Sequence, residues 1–170
     1  MGKVVLIIDQ YEIILQGETM DEKIREKIRT VIQEQSTCVL ATASKNRPHC
    51  SLMAYATNSS CDEIYLMTLK DSRKYQNMCE NPAVSLLIDN RQYILESDHT
   101  ETMALTVSGR FDRIIKDTER ERIRKELSSK HPELKGFLEK PEGEPVKIII
   151  ESYLLLEGPE KAHFGAVSEL

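Results

Sequence analysis

Ile64-Tyr-Leu-Met-Thr-Leu-Lys-Asp-Ser-Arg-Lys74, followed by Asn81-Pro82 and Ala83-Val-Ser-Leu-Leu-Ile88, is the stretch on which the reading of the chain turns. A β-rich run from Glu63 to Leu69 passes into a polar turn. Tyr75, Met78 and Cys79 then recur at helical spacing until Pro82 ends the helix. Ala83 to Ile88 is a second apolar run of strand length. Thr68, Lys70, Ser72, Arg73 and Lys74 therefore cluster where a strand hands over to a helix. Free amides at a helix start, two hydroxyls and three cations are what an anionic phosphate group requires. An ordinary strand-to-helix turn, capped by Ser72 or Asp71 with its cations in solvent, reads the same way, and spacing does not separate the two.

Upstream, Cys38 to Ala43 reads as a buried strand that ends at the polar turn Ser44 to Arg47. Pro48 opens the next strand, Cys50 to Thr57, because proline lacks the amide that a central ladder position needs. Thr19-Met-Asp-Glu22 has the spacing of a capping box, and Ile24, Ile28, Val31 and Ile32 behind it predict an amphipathic helix over about residues 20–35. Val4 to Ile8 and Tyr11 to Leu15 read as a short hairpin, an amino-terminal extension over residues 1–19.

Downstream, Met103 to Ile115 alternates as a long strand with a bulge or bend at Gly109. Asp117 or Thr118 is the expected cap of a charged helix reaching about Lys130, whose thin stripe of Ile123 and Leu127 predicts a surface position. Pro132 starts a short further helix, Lys140 to Pro145 reads as a loop, and Val146 to Leu156 as the last strand. Strands joined mainly by turns predict one mainly β domain over residues 1–170: an antiparallel barrel with peripheral helices, not a parallel doubly wound sheet.

Composition narrows the function. The chain has 28 acidic against 23 basic side chains, a net charge of −5, and 5% aromatic residues with no tryptophan. That balance argues against a nucleic-acid partner, which calls for a basic face or rings that stack on bases. The longest apolar run, Val4 to Ile8, is far short of the roughly 20 residues of a membrane helix. With Asp9 and Glu12 close behind and no small-residue cleavage pattern, a cytoplasmic protein is expected. Cys38, Cys50, Cys61 and Cys79 form no Cys-x-x-Cys pair and predict reduced thiols in structural roles. His49, His99, His131 and His163 form no metal-binding pair, so no metal site is expected.

The run from Cys38 to Asp89 resembles the pyridoxamine 5′-phosphate oxidase-like family. It has the order strand, polar turn with Pro48, strand, turn, strand, Ser72-Arg73-Lys74, short helix, Asn81-Pro82, strand. Val107-Ser-Gly-Arg110 is similar to that family's next long strand. The resemblance implies a split β-barrel that binds flavin mononucleotide (FMN). It implies that Thr68, Ser72, Arg73 and Lys74 hold the phosphate, that His49, Cys50, Ser51 and Leu52 lie on a strand beside the isoalloxazine ring, and that Met67 sits near the ring. Val39, Leu52 and Leu66 are the expected apolar wall. For His49 and Cys50 a packing role competes with a chemical one, since a thiol or imidazole on a strand is more often packed than reactive.

The resemblance also implies a homodimer with the cofactor at a twofold interface. His163 and Phe164 are candidates either for packing there or for a disordered terminus. The departures matter for function. Pyridoxamine phosphate oxidases proper carry a carboxy-terminal arginine and histidine signature, and no arginine follows Arg124 here; Met103 and Ala104 stand where a glutamine is usual. The expectation is a relative that keeps the flavin cradle but not the vitamin site. Such a protein is an FMN-dependent oxidoreductase passing hydride or electrons from a reduced small-molecule or protein donor to an acceptor. The alternatives are a flavin- or haem-binding protein without turnover, with His49, His99 or His163 as axial ligand, and a reductase using the deazaflavin F420.

Overall fold

The computed structural model describes residues 4–8, 11–15, 21–90, 102–158 and 161–167, the first two segments through their strand pairing. His99 and Thr19 lie outside the described residues. Strands β1 (Val4–Ile8) and β2 (Tyr11–Leu15) pair with each other antiparallel. Helix α1 (Glu22–Glu34) begins at Asp21, not at Thr19, because the Asp21 carboxylate accepts the Lys23 amide at 3.0 Å. Its buried face is Ile28, Val31 and Ile32, the stripe that the spacing predicts.

Strands β3 (Thr37–Ser44) and β4 (Arg47–Ala54) are joined by Lys45 and Asn46, both at positive φ, the conformation of a two-residue hairpin turn. β4 ends earlier than the sequence suggests. The chain bends at Tyr55 and resumes as β5 (Ala56–Thr57), then β6 (Glu63–Leu69), α2 (Arg73–Glu80), β7 (Ala83–Asp89) and β8 (Met103–Asp112). Helix α3 (Asp117–Lys130), a 3-10 turn (Pro132–Leu134) and α4 (Lys135–Leu138) precede the long strand β9 (Gly143–Glu157). β10 (Lys161–Ala166), a segment where the sequence predicts no strand, pairs with the second half of β9. Against expectation, Gly143 to Pro145 belong to β9, where they pair with Leu69 to Met67.

All pairings are antiparallel, in the order β4-β3-β7-β8-β9-β6-β5. The two ends of this sheet, β4 and β5, are consecutive in the chain, so the sheet curls into a split barrel with peripheral helices. Gly109 sits at the shift of register between β8 and β9, where a Cβ would stand 2.6 Å from the Ile149 carbonyl oxygen. Only glycine allows that close approach.

Inside the barrel, Leu40, Ile64, Leu66, Leu86, Ile88, Leu105, Val107 and Ile148 form one apolar core. A second cluster lies outside it. β6 is buried on both faces because Tyr65 and Met67 point outward against Ile123 and Leu127, so the thin stripe of α3 is buried against the sheet. Lys116 precedes α3 without a side-chain cap, and Asp117 and Glu119 instead supply negative charge to the first turn. α2 covers one end of the barrel through Met78 and an edge-on contact of Tyr75 with Phe111, leaving Cys79 exposed beside the Arg113 guanidinium. Among the described residues no helix is long and apolar enough to cross a membrane.

Tyr55 is fully buried at the junction of β4 and β5. Its hydroxyl donates to the Ile32 carbonyl of α1 at 2.8 Å, its amide donates to the Ser36 carbonyl, and the Lys130 ammonium lies 4.4 Å from its ring centroid. Tyr55→Phe should lower stability by about 1 kcal/mol, read as a fall in Tm of about 2–4 °C; an unchanged Tm would show the hydroxyl to be dispensable. The thiols divide into two classes. Burial pushes the Cys38 thiol up to about 12, against a weak opposing pull from Lys130, and burial likewise raises Cys61, while Cys50 and Cys79 are exposed. A thiol-disulfide reagent at neutral pH should modify two of the four cysteines rapidly and the others only on unfolding. Four equally fast thiols would contradict this packing.

Candidate functional site

The split in the barrel follows from the strand register. β5 pairs with β6 through Ala56 with Tyr65 and Thr57 with Ile64. Continued upstream, the same ladder would set Ala54, Met53 and Leu52 against Met67, Thr68 and Leu69. Instead β4 pairs with β3, its other side stands away from β6, and these six residues become opposing walls of a cleft of about 390 Å³. Ser72 and Lys74 close one end. Leu127, His131, Leu134, Phe137 and Leu138 form an apolar wall from α3 and α4.

At the polar end, Leu69 accepts the Ser72 amide at 3.1 Å and turns the chain into α2. Ser72 is the helix cap, its hydroxyl lying 3.4 Å from the Tyr75 amide and 2.9 Å from the hydroxyl of buried Thr68. The first turn of α2 contains no acidic residue, and Arg73 and Lys74 occupy it. Cations there oppose the helix dipole, at a cost of roughly 0.3–1 kcal/mol each. Neither has an ion-pair partner among the described residues.

Lys70 differs from its neighbours, since its ammonium lies 3.4 Å from the Glu144 carboxylate. Of the three cations read from the sequence, Lys74 therefore lines the cleft, Arg73 is exposed in the same turn and Lys70 is paired away. Glu144 is buried and is also ion-paired with Arg120.

Of the residues expected at the site, Leu52, Met67, Thr68, Ser72 and Lys74 line the cleft. Arg73 is exposed in the same turn, while His49, Cys50 and Ser51 lie further along β4. Cys50 and Leu52 are exposed, Leu52 by 74%, whereas His49 and Ser51 are half-buried and bonded to each other at 3.2 Å. Leu66 points into the barrel core and Val39 does not reach the cleft, so the expected apolar wall comes instead from α3 and α4.

That wall has a signal in the sequence. Ile123, Leu127, His131, Leu134 and Leu138 recur at intervals of four, four, three and four, continuing the stripe through Pro132. Buried His131 holds its place by donating from Nε2 to the Tyr55 carbonyl at 2.8 Å, since a carbonyl can only accept. His163 is on β10, where Nε2 meets Glu157 at 2.9 Å, away from the cleft.

No curated protein matches the chain. Among solved structures, a haem-binding protein from Mycobacterium smegmatis superposes with a TM-score of 0.74 at 17% identity, covering 85% of this chain and 58% of that one. This chain thus spans less than two thirds of that relative. A putative pyridoxamine 5′-phosphate oxidase from Listeria innocua superposes with a TM-score of 0.63 at 19% identity, over 79% of this chain and 99% of that one. A FAD-binding protein from Mesorhizobium loti gives 0.63 at 19% identity, over 77% and 90%. These likenesses are of fold. The family described as pyridoxamine 5′-phosphate oxidase matches residues 24–150, a span that contains the barrel closure at Tyr55, the cleft and the cationic turn, and the chain belongs to that family.

Proposed function

We propose that the protein is a cytoplasmic FMN-binding flavoprotein, an oxidoreductase that passes hydride or electrons from a reduced donor to an acceptor. The observation that carries this reading is the first turn of α2, where Arg73 and Lys74 stand against the helix dipole with no ion-pair partner among the described residues. A bound phosphate monoester removes that conflict, because its charge suits both the cations and the helix start. The donor set fits the group: Thr68 and Ser72 offer hydroxyls, Lys74 and Arg73 offer charge, and the cleft beyond is apolar. When bound, the flavin ring supplies reversible two-electron and one-electron chemistry. Met67 and Leu52 flank the space for the ring, the outer side of β4 offers main-chain groups to its edge, and α3 and α4 exclude water.

No side chain is assigned as acid or base. Between Arg124 and Leu170 no arginine matches the pyridoxamine phosphate oxidase signature, which supports a donor and acceptor of other chemistry. Leu52, exposed by 74% on the rim, supports a homodimer in which a second copy covers the open side of the cleft.

Haem is the second reading, favoured by the likeness to a haem-binding protein. In this cleft it would have to use His131, whose Nε2 is engaged by Tyr55. The absorption spectrum of the purified protein separates the two: a flavin envelope is expected, and a dominant Soret band would refute it. Replacing Arg73 and Lys74 together by alanine should reduce FMN affinity at least tenfold while the protein stays folded. Undiminished flavin content in that variant would remove the phosphate assignment.

A further inference from the structure

Glu144, the second residue of β9, lies directly opposite Thr68 in the register of β6 and β9. Residues so paired project from the same face about 5 Å apart, so a carboxylate lies beside the hydroxyl assigned to phosphate. It is only 3% exposed. A buried anion there would repel a phosphate unless its charge were matched. Two cations match it. Arg120 bonds one carboxylate oxygen and is fixed by a second bond, at 2.8 Å, to the Ile114 carbonyl. Lys70 approaches the other oxygen at 3.4 Å, with its side chain 64% exposed and no second ion pair among the described residues. Arg120 is thus a fixed structural partner. Lys70 is a mobile one, on the same turn as Arg73 and Lys74.

Resting on the flavin reading above, we infer that Glu144 is a specificity-determining residue that holds Lys70 out of the phosphate cradle, so that the cradle presents two cations and not three. Its effect is selective for the phosphate group, because it acts through charge at one end of the cleft and touches none of the apolar walls. Neutralising Glu144 frees Lys70 for the ligand while Arg120 keeps its bond to the Ile114 carbonyl. The consequence is tighter binding of phosphorylated flavin with no change toward riboflavin, which lacks the phosphate.

The test is a pair of binding titrations, with FMN and with riboflavin, followed by flavin fluorescence. Glu144→Gln should tighten FMN by about threefold to tenfold at low ionic strength, lose most of that gain near 1 M salt, and leave riboflavin within about twofold. Lys70→Met in the native background should leave FMN affinity within about twofold, and in the Glu144→Gln background it should erase the gain. Equal changes for FMN and riboflavin in Glu144→Gln would mean a merely structural role and overturn the inference. So would weakened FMN binding in Lys70→Met alone, a measurement that stands even if Glu144→Gln fails to fold. If the native protein binds FMN and only these variants behave otherwise, the inference alone fails. If the native protein binds neither flavin, the flavin reading fails and takes the inference with it.

Discussion

The molecule depends on closing one sheet upon itself at Tyr55. That residue joins the strand at one end of the sheet to the strand at the other, and each of its polar groups is spent on a different neighbour: the hydroxyl on α1, the amide on Ser36, the carbonyl on His131 at the end of α3. A buried tyrosine with unpaired polar atoms would be costly. Satisfied in this way, it locks the two peripheral helices and the barrel seam into one arrangement. The seam cannot be complete. β4 pairs with β3 and β5 pairs with β6, and between the two ladders the chain leaves a gap three residues deep. The cleft is that gap.

Charge around one end of the gap is arranged against local preference. Helices favour anions in the first turn and α2 has two cations there, while a buried carboxylate, Glu144, sits across the ladder from Thr68. Conflicts of this kind mark functional places in otherwise consistent folds. α3 answers part of the conflict with Arg120, and the apolar side of the same helical segment forms the far wall. The segment from α3 to α4 therefore supplies both a partner for Glu144 and an apolar wall of the cleft. Membership of the pyridoxamine 5′-phosphate oxidase family covers residues 24–150, the span that holds the barrel, the cleft and the cationic turn.

Much of this was legible from local pattern. Strand β6 has the bounds that alternation and turn residues suggest, the helix after Ser72 stops at Asn81-Pro82, and Gly109 marks an irregularity in β8. Leu52, Met67, Thr68, Ser72 and Lys74 line one cleft. Other readings failed for stated reasons. Leu66 alternates into the core, because residues two apart on β6 share a face with Ile64 and not with Met67. The wall from Leu127 to Leu138 is obscured in the sequence by Pro132, which interrupts its helix while the apolar period runs on through the 3-10 turn. Lys161 to Ala166 has no run of apolar residues or clean alternation to mark a strand, and becomes one only by pairing with β9.

By itself the sequence determined what near neighbours in the chain decide: periods of two and of 3.6, caps, breakers, and the density of cations after Leu69. Those signals act over a few residues, and backbone geometry reads them without reference to the rest of the molecule. Only the tertiary structure decided that the ladder stops at Ala56, that Lys70 turns to Glu144 while Arg73 and Lys74 do not, and that His131 reaches Tyr55 across 76 positions of chain. Pairing, register and charge partnership are contacts between distant segments. Their energies depend on which groups close together in space, and nothing in a local run of residues carries that.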